Sequence, residues 1–372
     1  MAACGLRKAV LFRSLWRSVQ GKRSACWVMS PSRHESIGGE NTQRAGGRGG
    51  GGAGGIVWAA IGFSLFGSTD EERRDEAQRK EEEIILLLKN AKLAVSRDQL
   101  QAASGFLHQA VVLAHQTHNT QAIIYSYSLM ANLAYVQGHL DHAEKLFKAA
   151  MSFMLSGGMP QDDNAVIEMS LKLATIYAEQ SKVELAEHGF RFCMESLQEK
   201  LQRDEEAEPT EEQQQQRKDS RLLLGLCFDS RARYRASRLQ LGGAERDYRE
   251  ALQICGGEQG DTHPQTLVLM SDLATVLDLQ GRHDDALLLV QHAVELSRSV
   301  GHPDLQVLLG NMAGILLHTG RLEDAVRFYQ EALILALQAK DKEAVNAIQE
   351  GLKEVKKKEE EQKKKKNKEE GD

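Results

Sequence analysis

The chain has 372 residues, 41% of them hydrophobic, with a formal net charge of −6 and only five prolines. An acidic chain lacks the basic face that phosphate backbones require, which sets nucleic acid aside as a partner. Its five cysteines form no C-x-x-C pair and no metal-ligand spacing, which argues against a secreted disulfide framework and a structural zinc site.

The amino terminus differs in character from the rest. Arg7, Lys8, Arg13, Arg17, Lys22, Arg23 and Arg33 occur in the first 34 residues without a single acid, and Leu6, Val10, Leu11, Leu15, Trp16 and Val19 interleave with them. An Arg-rich, acid-free, amphipathic start predicts a mitochondrial transit peptide over residues 1–45. A plain basic tail would not need the apolar stripe. A secretory signal would have an apolar run that Arg13 and Arg17 here interrupt. Residues 46–55 are glycine-rich and contain a literal G-x-G-x-x-G. No strand precedes it, so it reads as a flexible linker and not as a dinucleotide cradle.

Between Arg48 and Asp70 lie 21 residues without a charge, of which 56–66 are strongly apolar. Residues 56–67 are expected to form a single membrane anchor; the alternative is an apolar segment beside the presequence cleavage site. The chain turns abruptly charged from Asp70. With the basic arm in the matrix, an anchor there would leave the remainder facing the intermembrane space.

From residue 84 to 340 one pattern recurs. A small residue is followed after four positions by a bulky one, and after three more by another small one: Ala103-Leu107-Ala110, Ala143-Phe147-Ala150, Ala186-Phe190-Cys193, Ala244-Tyr248-Ala251, Ala286-Val290-Ala293 and Ala325-Tyr329-Ala332. The first members are 40, 43, 58, 42 and 39 residues apart. Spacings of three and four place each triplet on one helical face. Before each triplet runs a second apolar helical stripe, such as Tyr127, Met130, Ala131 and Ala134, and then a turn at Gly138. Gly281 and Gly320 fill the same turn elsewhere, while Asp98, Ser181 and Leu239 replace the glycine. The predicted fold is all-α: a right-handed superhelical solenoid of about six helix pairs with a capping helix. The expected pairs occupy about 84–123, 124–166, 167–218, 225–262, 267–305 and 306–340.

The 58-residue step reflects an insertion at 198–220, rich in Glu and Gln, which is expected as a helical extension or a mobile arm. Pro209 argues against one unbroken helix. His263-Pro264 and His302-Pro303 each precede a first helix, where proline suits the first turn. Beyond 341, Ala344, Val345, Ile348, Leu352 and Val355 form a stripe that can cap the last pair, and a Lys/Glu-rich helix end follows.

No nucleophile motif or phosphate loop is present, and no cofactor or small-molecule substrate is expected. His115 with His118, and His139 with His142, are two-histidine sets without a third ligand, so they read as surface residues. The expected functional surface is the groove lined by the first helix of each pair. It takes Tyr125, Ser128, Asn132 and Tyr135 from the second pair, Glu168, Lys172 and Thr175 from the third, and Asp229 and Arg233 from the fourth. The fifth supplies Asp272, Thr275 and Asp278, and the sixth Asn311. Aromatic rings with amides and hydroxyls suit peptide capture, and the acids would favour a basic segment. The lysines and arginines with which chaperone-binding repeats hold a C-terminal carboxylate are missing at Ser128, Asp229 and Asp272.

These helix pairs resemble the tetratricopeptide repeat family. The segments LMANLAYVQGHLDHAEKLFKAAMSFMLSGGM, SLKLATIYAEQ and HPQTLVLMSDLATVLDLQGRHDDA resemble its mitochondrial inner-membrane branch, over about residues 83–355. That resemblance implies a non-enzymatic protein that associates with respiratory complex III. It further implies support for the integrity of the complex by helping to clear fragments of its Rieske iron–sulfur subunit. The alternative is a scaffold outside mitochondria, in trafficking or cell division.

Overall fold

The computed structural model describes residues 69–203, 210–302 and 304–369. The expected transit peptide, glycine linker and apolar run lie outside these residues, as do Cys4, Cys26, Pro209 and Pro303. The described residues contain thirteen α-helices and no strand, in two compact units that divide between Gly158 and Met159.

The first unit holds α1 (Thr69–Ser96), α2 (Leu100–Gln116), α3 (Thr120–Val136) and α4 (Leu140–Ser156). Antiparallel pairs α1/α2 and α3/α4 form, with α2 against α3. The second unit holds α5 (Asn164–Glu179), α6 (Val183–Arg203), α7 (Glu211–Ser237), α8 (Leu241–Gln259), α9 (Pro264–Leu279), α10 (His283–Val300), α11 (Leu305–His318), α12 (Leu322–Gln338) and α13 (Lys342–Glu369). These make four more pairs and a closing helix.

Every member of the six triplets is buried. The alanines let helices approach closely, and Phe147, Phe190, Tyr248 and Tyr329 fill the space beside them. Each such ring contributes about 2–3 kcal/mol by leaving water. Where contact is closest the smaller residue is glycine: a Cβ on Gly189 would stand 2.7 Å from that of Ala174 on the paired helix.

The turn inside each pair has one geometry. Its central residue is left-handed, at Asp98 (φ 58°), Gly138 (77°), Ser181 (60°), Leu239 (60°), Gly281 (83°) and Gly320 (80°). The next amide donates to a carbonyl five residues back, as in Gln99 to Ala94 (2.8 Å), Lys182 to Tyr177 (2.8 Å) and Gln240 to Arg235 (2.9 Å). This is a Schellman closure, which satisfies carbonyls the helix end would leave open. Leu239 holds this conformation with a bulky, exposed side chain, at a cost of about 1–2 kcal/mol. Leu239→Gly should therefore raise stability by about 0.5–1 kcal/mol after the entropy that glycine loses, read as a higher urea midpoint.

One boundary differs from expectation, and two expected segments take a definite form. The first helix begins at Thr69 and not near 84, because the charged stretch is itself helical, with Lys80 bonded to Glu76 one turn away (2.6 Å). Helix α7 begins at Glu211, inside the expected insertion. Thr210 and Gln213 form a reciprocal capping box there (3.3 and 2.9 Å), so the glutamine run is helical. The charged C-terminal tail continues α13 to Glu369. On that helix Ala344, Ala347, Ile348, Gly351 and Val355 are buried, with Val345 and Leu352 half-buried. Gly351 lies against the ring of Tyr329, and Lys358 Nζ donates to the carbonyl of Leu317 (2.9 Å).

Candidate functional site

The expected groove residues fall in both units, and each set is described within its own unit. In the first, α3 is fixed at its start by Asn119, whose side chain accepts from the Ala122 amide (3.0 Å). That orientation leaves Tyr125, Ser128 and Tyr135 half-buried on its surface and Asn132 buried. Lys92 Nζ on α1 lies 5.2 Å from the centre of the Tyr125 ring. Between α1, α2 and α3 lies a small aliphatic cleft. Ala91, Val95, Leu107, Leu129, Leu133 and Val136 line it, and Lys92 is its one charged lining residue. Nearby, His115 Nε2 meets Tyr127 Oη (3.2 Å), and both rings pack with Phe153. His115 is thus one corner of an aromatic cluster.

In the second unit the acids are not presented to solvent as expected. Asp229, Asp272 and Asp278 are only 1, 6 and 4% exposed. Asp229 accepts from Arg233 Nη2 (2.9 Å) and, across the repeat boundary, from Gln265 Nε2 (3.2 Å). Asp272 receives the Tyr248 hydroxyl at 3.5 Å. Asp278 receives the Nδ1 atoms of His283 (2.6 Å) and of His318, one repeat onward (2.5 Å). Burying a carboxylate is tolerated only with such partners. These three therefore tie first helices to their neighbours, and the expected attraction for a basic segment loses its anions. Asn311 is tied likewise, donating to Ser271 Oγ (2.8 Å). Glu168 and Lys172 satisfy each other (2.8 Å) and remain part-exposed, while Thr175 and Thr275 donate to the carbonyls of Leu171 (3.0 Å) and Ser271 (2.9 Å).

Sequence reasoning missed the partners, although a signal existed: Asp278 with His318, and Ser271 with Asn311, are both 40 residues apart, one repeat. It also missed Asp247 on α8, which accepts two bonds from Arg231 (2.9 and 2.7 Å) and one from Arg235 (2.8 Å) on α7. Burial raises the carboxyl of Glu245, but bonds from Gln280, Arg249 and Arg282 outweigh it and hold that group below its ordinary range.

Burial lowers the imidazoles of His263 and His302, whose Nδ1 atoms accept the amides of Gln265 (3.2 Å) and Asp304 (3.0 Å). Those acceptor roles require neutral rings. The free cysteines Cys193, Cys227 and Cys255 are buried. Burial, with Cys193 alongside, pushes the Cys227 thiol well up, and burial with Asp229 nearby pushes Cys255 to about 12. Thiols held in that form are poor nucleophiles. Among the described residues, no set of three or more His, Cys, Asp or Glu side chains is placed to hold a metal ion. No helix among them is long and apolar enough to cross a membrane.

Comparison with known proteins agrees with this architecture. Tetratricopeptide repeat family profiles match residues 232–299 and 307–339. Tetratricopeptide repeat protein 19, mitochondrial, of Danio rerio is 62% identical over 300 residues, covering 81% of this chain and 74% of the relative. The Homo sapiens protein of that name is 48% identical over 270 residues, covering 73% and 71%. Among solved structures, the apo form of RapI superposes with a TM-score of 0.52 over 77% of this chain and 70% of its own, at 12% identity, a likeness of fold alone.

Proposed function

The chain belongs to the tetratricopeptide repeat protein 19 family, and from that premise we propose that it is a mitochondrial protein-binding factor whose helix pairs hold another polypeptide. Its finer role, in this reading, is to associate with respiratory complex III at the inner membrane and to help clear fragments of the Rieske iron–sulfur subunit. The repeats contribute binding and not bond chemistry. The observation that carries the reading is the 62% identity to a relative named mitochondrial, extending over 81% of the chain. The basic arm at 1–45, acid-free over its first 34 residues, supports import, and the uncharged run at 56–67 supports anchoring with the repeats in the intermembrane space.

Charge reversal at Asp272 or Asp278 would be a poor probe of partner binding, because both carboxylates are buried against the chain's own side chains. The half-buried face of α3, with Tyr125, Ser128 and Tyr135, is the better candidate in the first unit, and the part-exposed Glu168 and Lys172 in the second. The test is complementation in mitochondria lacking the endogenous protein. The expected result is co-migration of the tagged chain with complex III on native gels and a fall in Rieske fragments. A chain that is imported yet migrates apart from the complex, with fragments unchanged, overturns the reading. Protease treatment of mitoplasts checks orientation: digestion of the repeats is expected.

A further inference from the structure

We propose that the last two helix pairs form an acid-sensitive section of the solenoid: a proton taken up at Nδ1 of His263 and of His302 removes the acceptors that close the starts of α9 and α11. The inference goes beyond partner binding and holds whichever polypeptide the repeats carry.

Several helix starts in this chain are closed by a side chain that accepts a backbone amide, with different chemistry in different pairs. Asn119 accepts the Ala122 amide at α3 (3.0 Å), and Asp163 accepts the Ala165 amide at α5 (2.8 Å). The amide oxygen does not titrate, and a carboxylate stays an acceptor well below about pH 6. At α9 and α11 an imidazole fills this role, at the same two-residue offset as Asp163: His263 accepts from Gln265 (3.2 Å) and His302 from Asp304 (3.0 Å). Because Nδ1 accepts, the ring hydrogen is on Nε2, and a second proton can enter only at Nδ1 itself. The cap is then lost, and a cation faces the positive end of a helix. The imidazoles bonded to Asp278 behave in the opposite way. His283 and His318 donate to it from Nδ1 (2.6 and 2.5 Å), so protonation at Nε2 leaves those bonds in place.

The surroundings make a charged ring costly. His302 is 6% exposed, and its Nε2 has no acceptor among the described residues. Burial lowers its affinity for a proton; the Asp304 carboxylate offsets part of this, and the His263 ring of the preceding pair lowers it further. For His263 burial is the cause of the lowering. Of the other charges near these turns, Asp261 is exposed, Glu258 on α8 is bonded to Arg221 (3.0 Å), and Arg298 on α10 to Glu331 on α12 (2.7 Å). Both rings therefore hold a proton less readily in the folded chain than in the unfolded one, where the ordinary value is about 6.5. The stability they contribute is complete above that value and is lost as pH falls below it. Helices α9 and α11 also touch each other, so a loosened start on one removes support from the other.

The experiment is hydrogen–deuterium exchange of the full chain at about pH 7.5 and about pH 5.5, either side of the ordinary imidazole value. Labelling times are scaled for the intrinsic slowing of exchange in acid, and mass spectrometry reads the first turns of α5, α9 and α11. Protection at the starts of α9 and α11 should fall about fivefold in acid, as losing one cap implies, while that at α5 holds. His302→Asn supplies an acceptor that does not titrate, in the turn geometry that Asp163 already uses. It should abolish the fall at α11 and leave most of that at α9, and His263→Asn should do the reverse. His302→Ala should lose protection at α11 at both pH values. A loss spread equally over α5, α9 and α11, no loss at α9 and α11, or a native-like fall in the Asn variants overturns the proposal. The comparison of the three helix starts in the native chain needs no substitution, so it decides the matter even where an Asn variant folds poorly.

Discussion

Replacing Gly351 with valine should unseat the C-terminal helix and lower stability by about 3 kcal/mol, the upper range for forcing atoms into a filled core. A Cβ at this position would stand 2.6 Å from Tyr329 Oη and 2.7 Å from Cε1, with Cζ closer still. Tyr329 is 1% exposed and belongs to the last triplet, so the ring cannot swing away without opening α12. Losing α13 would expose Ile348 and Val355 together with the apolar face of α12 that they cover. A solenoid with an uncovered end also tends to associate. The measurement is urea unfolding followed by helical circular dichroism, since all three tryptophans (Trp16, Trp27, Trp58) precede the repeats. Gly351→Ala should fall between the native chain and Gly351→Val. A midpoint unchanged in both would show that the helix does not need this contact.

Removing the carboxylate of Asp247 should cost about 3 kcal/mol, at the lower end for breaking a buried ion pair, because both guanidinium groups keep some access to water. Asp247 is 3% exposed and takes three bonds, from Arg231 and Arg235, all joining α7 to α8. In Asp247→Ala two cations remain against an apolar wall with no counter-charge. The informative control replaces all three residues with apolar ones of similar volume, which should recover most of the loss. If Asp247→Ala alone proves neutral, the cluster contributes nothing to stability.

Much of this fold was legible because packing wrote itself into a period. Ala143, Phe147 and Ala150 needed only helical spacing to be placed in the core, and Gly138 only its place between two stripes. Gly351 was not legible. Nothing local marks it as special; its requirement comes from a tyrosine on the preceding helix. The start of α1 was hidden by charge, since a run such as Glu81-Glu82-Glu83 carries no apolar stripe from which to read a helix. The functional surface was read less well. Position in the repeat predicts which side of a helix a residue occupies, but not whether a neighbour has already claimed it. Asp278 fits the inner wall by register and yet is held by two histidines, one of them a full repeat away. Tyr125 and Ser128 stay half-buried, with Lys92 of the preceding pair over the Tyr125 ring.

Every sizeable interface among the described residues joins helices that are consecutive or one apart along the chain. Assembly then never waits for a distant stretch to arrive, since only short loops must close before contacts form. A polypeptide delivered end-first through a narrow translocation channel can lock each hairpin as it clears the exit. The helix carrying Gly351 follows the pair it covers, so that edge stays open until this helix emerges.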